Sequence, residues 1–99
     1  MAIVEVSITP LGTAKTSISD YVAECVKIAR ESGLPCQLTG MGTILEGDLD
    51  QIMTVIRQMQ ESVFASGATR VISSIKIDDR RDKPGHDSSS KVASVEIKL

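Results

Sequence analysis

The sequence predicts an α+β sandwich with the element order β-α-β-β-α-β, and three observations carry that reading. Apolar and polar residues alternate over residues 3–10 and again over 71–78, the period of a half-buried strand. Two stretches, one around Val22 and Ala29 and one from Leu49 to Phe64, repeat apolar residues at helical spacing. Between them, residues 36–46 are interrupted by Gly40 and Gly42, the composition of a hairpin.

Each element has its own punctuation. In the first strand Val4, Val6 and Ile8 share one face, Ile3, Glu5, Ser7 and Thr9 the other, and Pro10 and Gly12 are expected to end it. The first helix takes Ser17 as its N-cap, with Asp20 three residues on in a variant of the capping box. Ile18, Val22, Cys25, Val26 and Ala29 form its apolar face; Gly33 supplies a left-handed stop and Pro35 prevents resumption. Residues 36–41 and 43–46 read as two short strands, their glycines tolerating the positive φ of a tight turn. Asp48 caps a second helix with Gln51 at the reciprocal position, and Leu49, Ile52, Met53, Ile56, Met59, Val63 and Phe64 make its stripe up to Gly67. In the last strand Val71, Ile75 and Ile77 face one way with Ser73, while Ile72, Ser74, Lys76 and Asp78 face the other.

Two split β-α-β halves of this kind make a ferredoxin-like domain over residues 1–80: a four-stranded antiparallel sheet with both helices on one face. A polar loop over 81–91 follows, then a short C-terminal element over 92–99. Val92, Val95 and Leu99 suit a helix there; Val95, Ile97 and Leu99 suit a strand. The uncovered sheet face mixes Ile3, Glu5 and Ile72 with small polar groups, a composition suited to contact between subunits, which a chain of 99 residues with a modest core would gain from.

Composition removes several function classes. A net charge of −2 and a single Tyr and Phe argue against a nucleic-acid partner, which needs a basic face or a stacking platform. No apolar run reaches the length of a membrane span, and the N-terminus reads as a strand rather than a signal peptide. Cys25 and Cys36 fit neither a zinc nor a redox spacing and are expected as reduced thiols in a cytoplasmic protein, with no metal and no cofactor. No catalytic set emerges: His86 stands alone in a Ser-rich loop, and the adjacent Asp78 and Asp79 point to opposite faces of a strand.

Two separated motifs do carry a specific signal. They are GLPCQLTGMGTILEGD over residues 33–48 and IKIDDRRDK over 75–83. Through Gly33, Leu34, Gln37, Leu38, Met41, Gly42, Thr43, Glu46 and Gly47, and then Ile75, Lys76, Ile77, Asp78, Arg80, Arg81 and Asp82, the chain resembles the small thiamine-binding protein family, the UPF0045 type, over nearly its whole length. It departs from the family pattern where Cys36 replaces a usual aromatic, Gly40 a usual Pro and Gln60 a common His, the last followed by the matching Glu61.

The resemblance implies a non-enzymatic binding protein for thiamine or its hydroxymethylpyrimidine moiety, a carrier or buffer within a homo-oligomer, a tetramer built as a dimer of dimers, and a helical C-terminus. A pocket for that ligand needs polar groups for the pyrimidine edge, an apolar wall, and negative potential near the thiazolium. Gln37, Thr39, Met41, Gly42, Thr43 and Glu46 of the hairpin are the expected ligand-binding residues, with Asp78 a further offset for the cation. Lys76, Asp78, Arg80 and Arg81 are expected at a subunit interface. The alternative is an oligomeric structural or regulatory module with no metabolite, and a third reading is a small enzyme acting on a thiamine precursor.

Overall fold

The computed structural model describes residues 1–13, 18–83, 85 and 87–99. The elements are β1 (Ala2–Leu11), α1 (Ser19–Glu31), β2 (Cys36–Thr39), β3 (Gly42–Gly47), α2 (Leu49–Ala65), β4 (Arg70–Asp79) and α3 (Ser88–Glu96). The strands form one antiparallel sheet in the order β2-β3-β1-β4, the ferredoxin-like arrangement in which each helix returns the chain across the sheet. Ser17, the expected cap, and His86 lie outside the described residues.

The core follows the alternation of β1. Val4, Val6 and Ile8 point under the helices and meet Leu45 of β3, Cys25 and Ala29 of α1, and Ile52, Ile56, Met59 and Val63 of α2. Leu45 is fully buried, so truncation to Ala would cost about 2–5 kcal/mol. The stripe of α2 is rotated from the expected one. Val55 turns inward, whereas Met53 and Phe64 remain exposed, because residues 52, 55, 56, 59 and 63 are the set that one helical face can present to the sheet.

The N-cap of α1 is Ile18, which makes no side-chain cap, whereas the other helix starts are capped locally. Asp48 accepts the Gln51 N–H at 3.1 Å, a cap that stabilises by about 1 kcal/mol. Gly33 adopts φ 81° just past α1, the left-handed residue that stops it. Gln60, on α2, donates to Ser73 Oγ of β4 at 2.8 Å, and Glu61 pairs with Arg57. The departure at Gln60 is therefore a helix-to-sheet tie.

Several expectations are corrected. Pro10 does not end β1; it lies within the strand, buried and opposite Val71. Pairing of β1 with β3 runs only from Ala2 to Val6, so Pro10 sits where β1 has one neighbour and a missing N–H does no harm. Gly40 and Met41 form the turn rather than extending β2, and neither Gly40 nor Gly42 has positive φ. The turn is held by a side chain instead: Thr39 Oγ1 accepts from Met41 N at 3.2 Å and donates to Gly42 O at 3.0 Å. The polar segment after β4 is shorter than expected, because α3 begins at Ser88, where Asp87 accepts the Ser90 N–H at 2.7 Å.

Candidate ligand cleft beside the hairpin

The β2–β3 hairpin does form, but its register divides the expected site. Cys36 pairs with Leu45, Gln37 with Ile44, Leu38 with Thr43 and Thr39 with Gly42. Leu45 and Thr43 are buried toward the helices, so Gln37, Ile44 and Glu46 take the opposite, open face. Thr43 and Glu46 thus point to opposite sides of one strand and do not share a pocket, contrary to the expectation that they act together. Their odd separation already carried that information.

On the open face, Glu46 is engaged with α3. Its Oε1 accepts the Ser88 N–H at 2.8 Å, so its carboxylate sits at the positive end of that helix. Gln37 and Glu46 border a recess of about 140 Å³ closed by Ser88 and Ser89. Asp78 accepts from Lys91 Nζ at 2.7 Å, again tying α3 to the sheet. Arg80 pairs with Asp82 at 2.8 Å and Arg81 with Asp79 at 3.1 Å, while Lys76 stands exposed on the open face. A larger polar hollow of about 310 Å³ lies beside Asp78, Arg80, Lys83 and Lys91.

The other four residues border the helix side: Thr43 points there, while Thr39, in the register of Gln37, meets it at the turn. Thr39, Met41, Gly42 and Thr43 line a cleft of about 280 Å³, with Ile18, Val22 and Cys25 of the α1 end, Leu38, Met59 and residues 6–9 of β1. The reason for a cleft here is topological. β1 pairs with β4 from Ala2 to Leu11 but with β3 only to Val6, so from Ser7 onward one edge of β1 has no strand beside it among the described residues. The hairpin tip ends at this notch and the start of α1 roofs it.

The chemistry of the cleft is mostly apolar with a few polar groups, the usual character of a small-molecule site. Thr43 is 5% exposed and its hydroxyl makes no hydrogen bond among the described residues. No buried side-chain oxygen or nitrogen there is left unpartnered, so this hydroxyl reaches the cleft space. Met41, 81% exposed at the tip, overhangs the mouth with its thioether. Burial, with a smaller contribution from Glu24, pushes the Cys25 thiol up against a hydrogen bond with Ser62, so it stays neutral at ordinary pH; its Sγ lies 3.7 Å from Met59 O. No carboxylate among the described residues lines this cleft.

Sequence reasoning missed Ile18, Val22, Cys25 and Leu38 as wall residues. Ile18, Val22 and Cys25 read as core in an amphipathic stripe, and only the short β3 pairing exposes their ends.

The molecule is thus a ferredoxin-like α+β domain with a ligand-sized cleft between its first helix and its hairpin. A family model described as thiamine-binding protein matches residues 4–96, and the chain belongs to this family. It is 40% identical over 100 residues to a UPF0045 protein of Methanothermobacter thermautotrophicus, covering all of both chains. It is 45% identical over 87 residues to the UPF0045 protein YqgV of Bacillus subtilis, covering 84% of each. Among solved structures, the hypothetical protein MJ1052 of Methanocaldococcus jannaschii superimposes with a TM-score of 0.86 at 36% identity, over 96% of this chain and 95% of that one.

Proposed function

We propose that the chain binds thiamine, or its hydroxymethylpyrimidine moiety, in the cleft beside the hairpin, and that it carries or buffers this ligand in the cytoplasm without converting it. The observation that carries the reading is the notch itself. A free strand edge at residues 7–9, the unpaired Thr43 hydroxyl and the apolar walls meet around a space of about 280 Å³. An aminopyrimidine presents donors and acceptors along one flat edge, as a neighbouring strand would, and its faces are suited to Ile18, Val22, Leu38 and Met41. A lining with no carboxylate among the described residues favours the neutral pyrimidine as the enclosed ring, with the thiazolium toward the mouth.

Calorimetry tests it. Thiamine and hydroxymethylpyrimidine are expected to bind the wild-type chain, and Thr43→Val is expected to weaken both about tenfold with little change in melting temperature. Full affinity in Thr43→Val would remove this cleft from the reading. Mass spectrometry of the incubated ligand is expected to show no product; turnover would overturn the carrier role.

We further propose a homo-oligomer, a tetramer arranged as a dimer of dimers, formed through the open sheet face and α3, with Lys76, Asp78, Arg80 and Arg81 near the contact. What supports it is α3: it buries no residue, yet Val92 and Val95 are 57% and 58% exposed. A nine-residue helix of this kind is marginal on its own. The second reading, an oligomeric module without a metabolite, rests on this same surface, and a chain that assembles but shows no thermal shift with either ligand would favour it.

A further inference from the structure

The cleft is not closed at its outer end. A second hollow of about 850 Å³ runs along the exposed side of α1 and past the edge strand β2, and Ile18, Val22 and Leu38 line both. Ligand cleft and groove therefore adjoin, with apolar side chains at the junction. The far end of the groove is charged: Lys27, Arg30 and Glu31 line it. Neither the Lys27 nor the Arg30 side chain has an ion-pair or hydrogen-bond partner among the described residues, in contrast to Arg57, Arg80, Arg81 and Lys91, which are all paired. Two free cations against one carboxylate leave this end net positive.

Distances along the helix give the spacing. With about 1.5 Å of rise per residue, Lys27 lies about 7.5 Å and Arg30 about 12 Å along the axis from Val22, at the junction. This is the reach of the arm of a two-ring molecule whose pyrimidine is enclosed at Thr43. A bare alcohol at the end of that arm has no use for two cations, and a phosphate ester has. Arg presents a planar fork matched to phosphate oxygens and Lys a mobile point charge.

Resting on the ligand reading above, we infer that cleft and groove together are built for the phosphorylated form of the ligand: the pyrimidine in the cleft, the thiazolium and its side chain across Ile18, Val22 and Leu38, and the terminal phosphates at Lys27 and Arg30. The cationic ring then crosses the apolar junction with its charge offset by its own phosphates, which explains a site without a carboxylate near the ring.

The test compares thiamine with thiamine diphosphate by calorimetry, in buffer containing EDTA, on the wild-type chain and on Lys27→Gln/Arg30→Gln. Both positions are exposed, so the double variant is expected to keep the wild-type melting temperature. The diphosphate is expected to bind the wild type about tenfold more tightly than thiamine, and the double variant to lose that preference while keeping its thiamine affinity within about twofold. Equal wild-type affinity for the two ligands, or a preference that survives in the double variant, would overturn this inference alone. Failure of both ligands to bind would overturn it together with the ligand reading.

Discussion

A Cβ placed on Gly42 would lie 2.7 Å from the carbonyl oxygen of Val6, closer than a Cβ approaches a backbone oxygen. The first residue of β3 thus seats directly against β1, where their pairing ends and the cleft begins. Gly42 is needed for its lack of a side chain, not for an unusual φ.

Gly42→Ala is therefore expected to push the hairpin away from β1 and destabilise the fold by about 1–3 kcal/mol, as overpacking does. For a domain of this size each kcal/mol lowers the melting temperature by about 4–8 °C, measurable by thermal circular dichroism. Gly40→Ala, with open space around its Cβ position, is expected to leave it nearly unchanged.

Glu46 and Thr43 are expected to separate in function because they face opposite ways. Glu46→Ala removes the acceptor for Ser88 N–H and is expected to lower α3 stability by about 1 kcal/mol while leaving thiamine affinity unchanged. Hydrogen exchange at residues 88–91 reads the first effect and calorimetry the second. A large loss of affinity would return Glu46 to the ligand site.

The Cys25 thiol has a pKa raised by burial, so the folded chain holds its proton more firmly than the unfolded chain. Its contribution to stability is full below the ordinary thiol range and declines as pH rises through that range toward the raised value. Denaturation midpoints are expected to be flat in this respect near neutrality and to fall above it, and Cys25→Ser is expected to remove that part of the decline. A disulfide-exchange reagent at pH 8 is expected to label Cys36 well before the buried Cys25.

If α3 lies between subunits, Val92→Glu/Val95→Glu is expected to shift the native mass spectrum toward monomer while circular dichroism still reports a folded sheet. Both residues are exposed in the single chain, so an unfolded variant is not expected. An unchanged spectrum would move the contact elsewhere.

Order and type of the elements were legible because each depends on neighbours within about a dozen residues. Alternation marks β1 and β4, a 3.6-residue period marks α2, Gly33 stops α1 and Asp48 starts α2. Where reading failed it failed on rotation and end points. Val55 replaced Met53 and Phe64 on the buried face, and Pro10 stayed within its strand. Both outcomes depend on what lies opposite.

The hairpin residues themselves could be chosen from the motif, and so could the family. Which of them meet could not, because the cleft is made by how far β3 runs alongside β1. That length is set by long-range hydrogen bonding between residues 2–6 and 43–47 and by the contact of Gly42 with Val6. Local patterning tells each residue which side of its own element it occupies; only the packed sheet and helix decide which sides close around a common space, since that depends on backbone groups far apart in the chain finding one register.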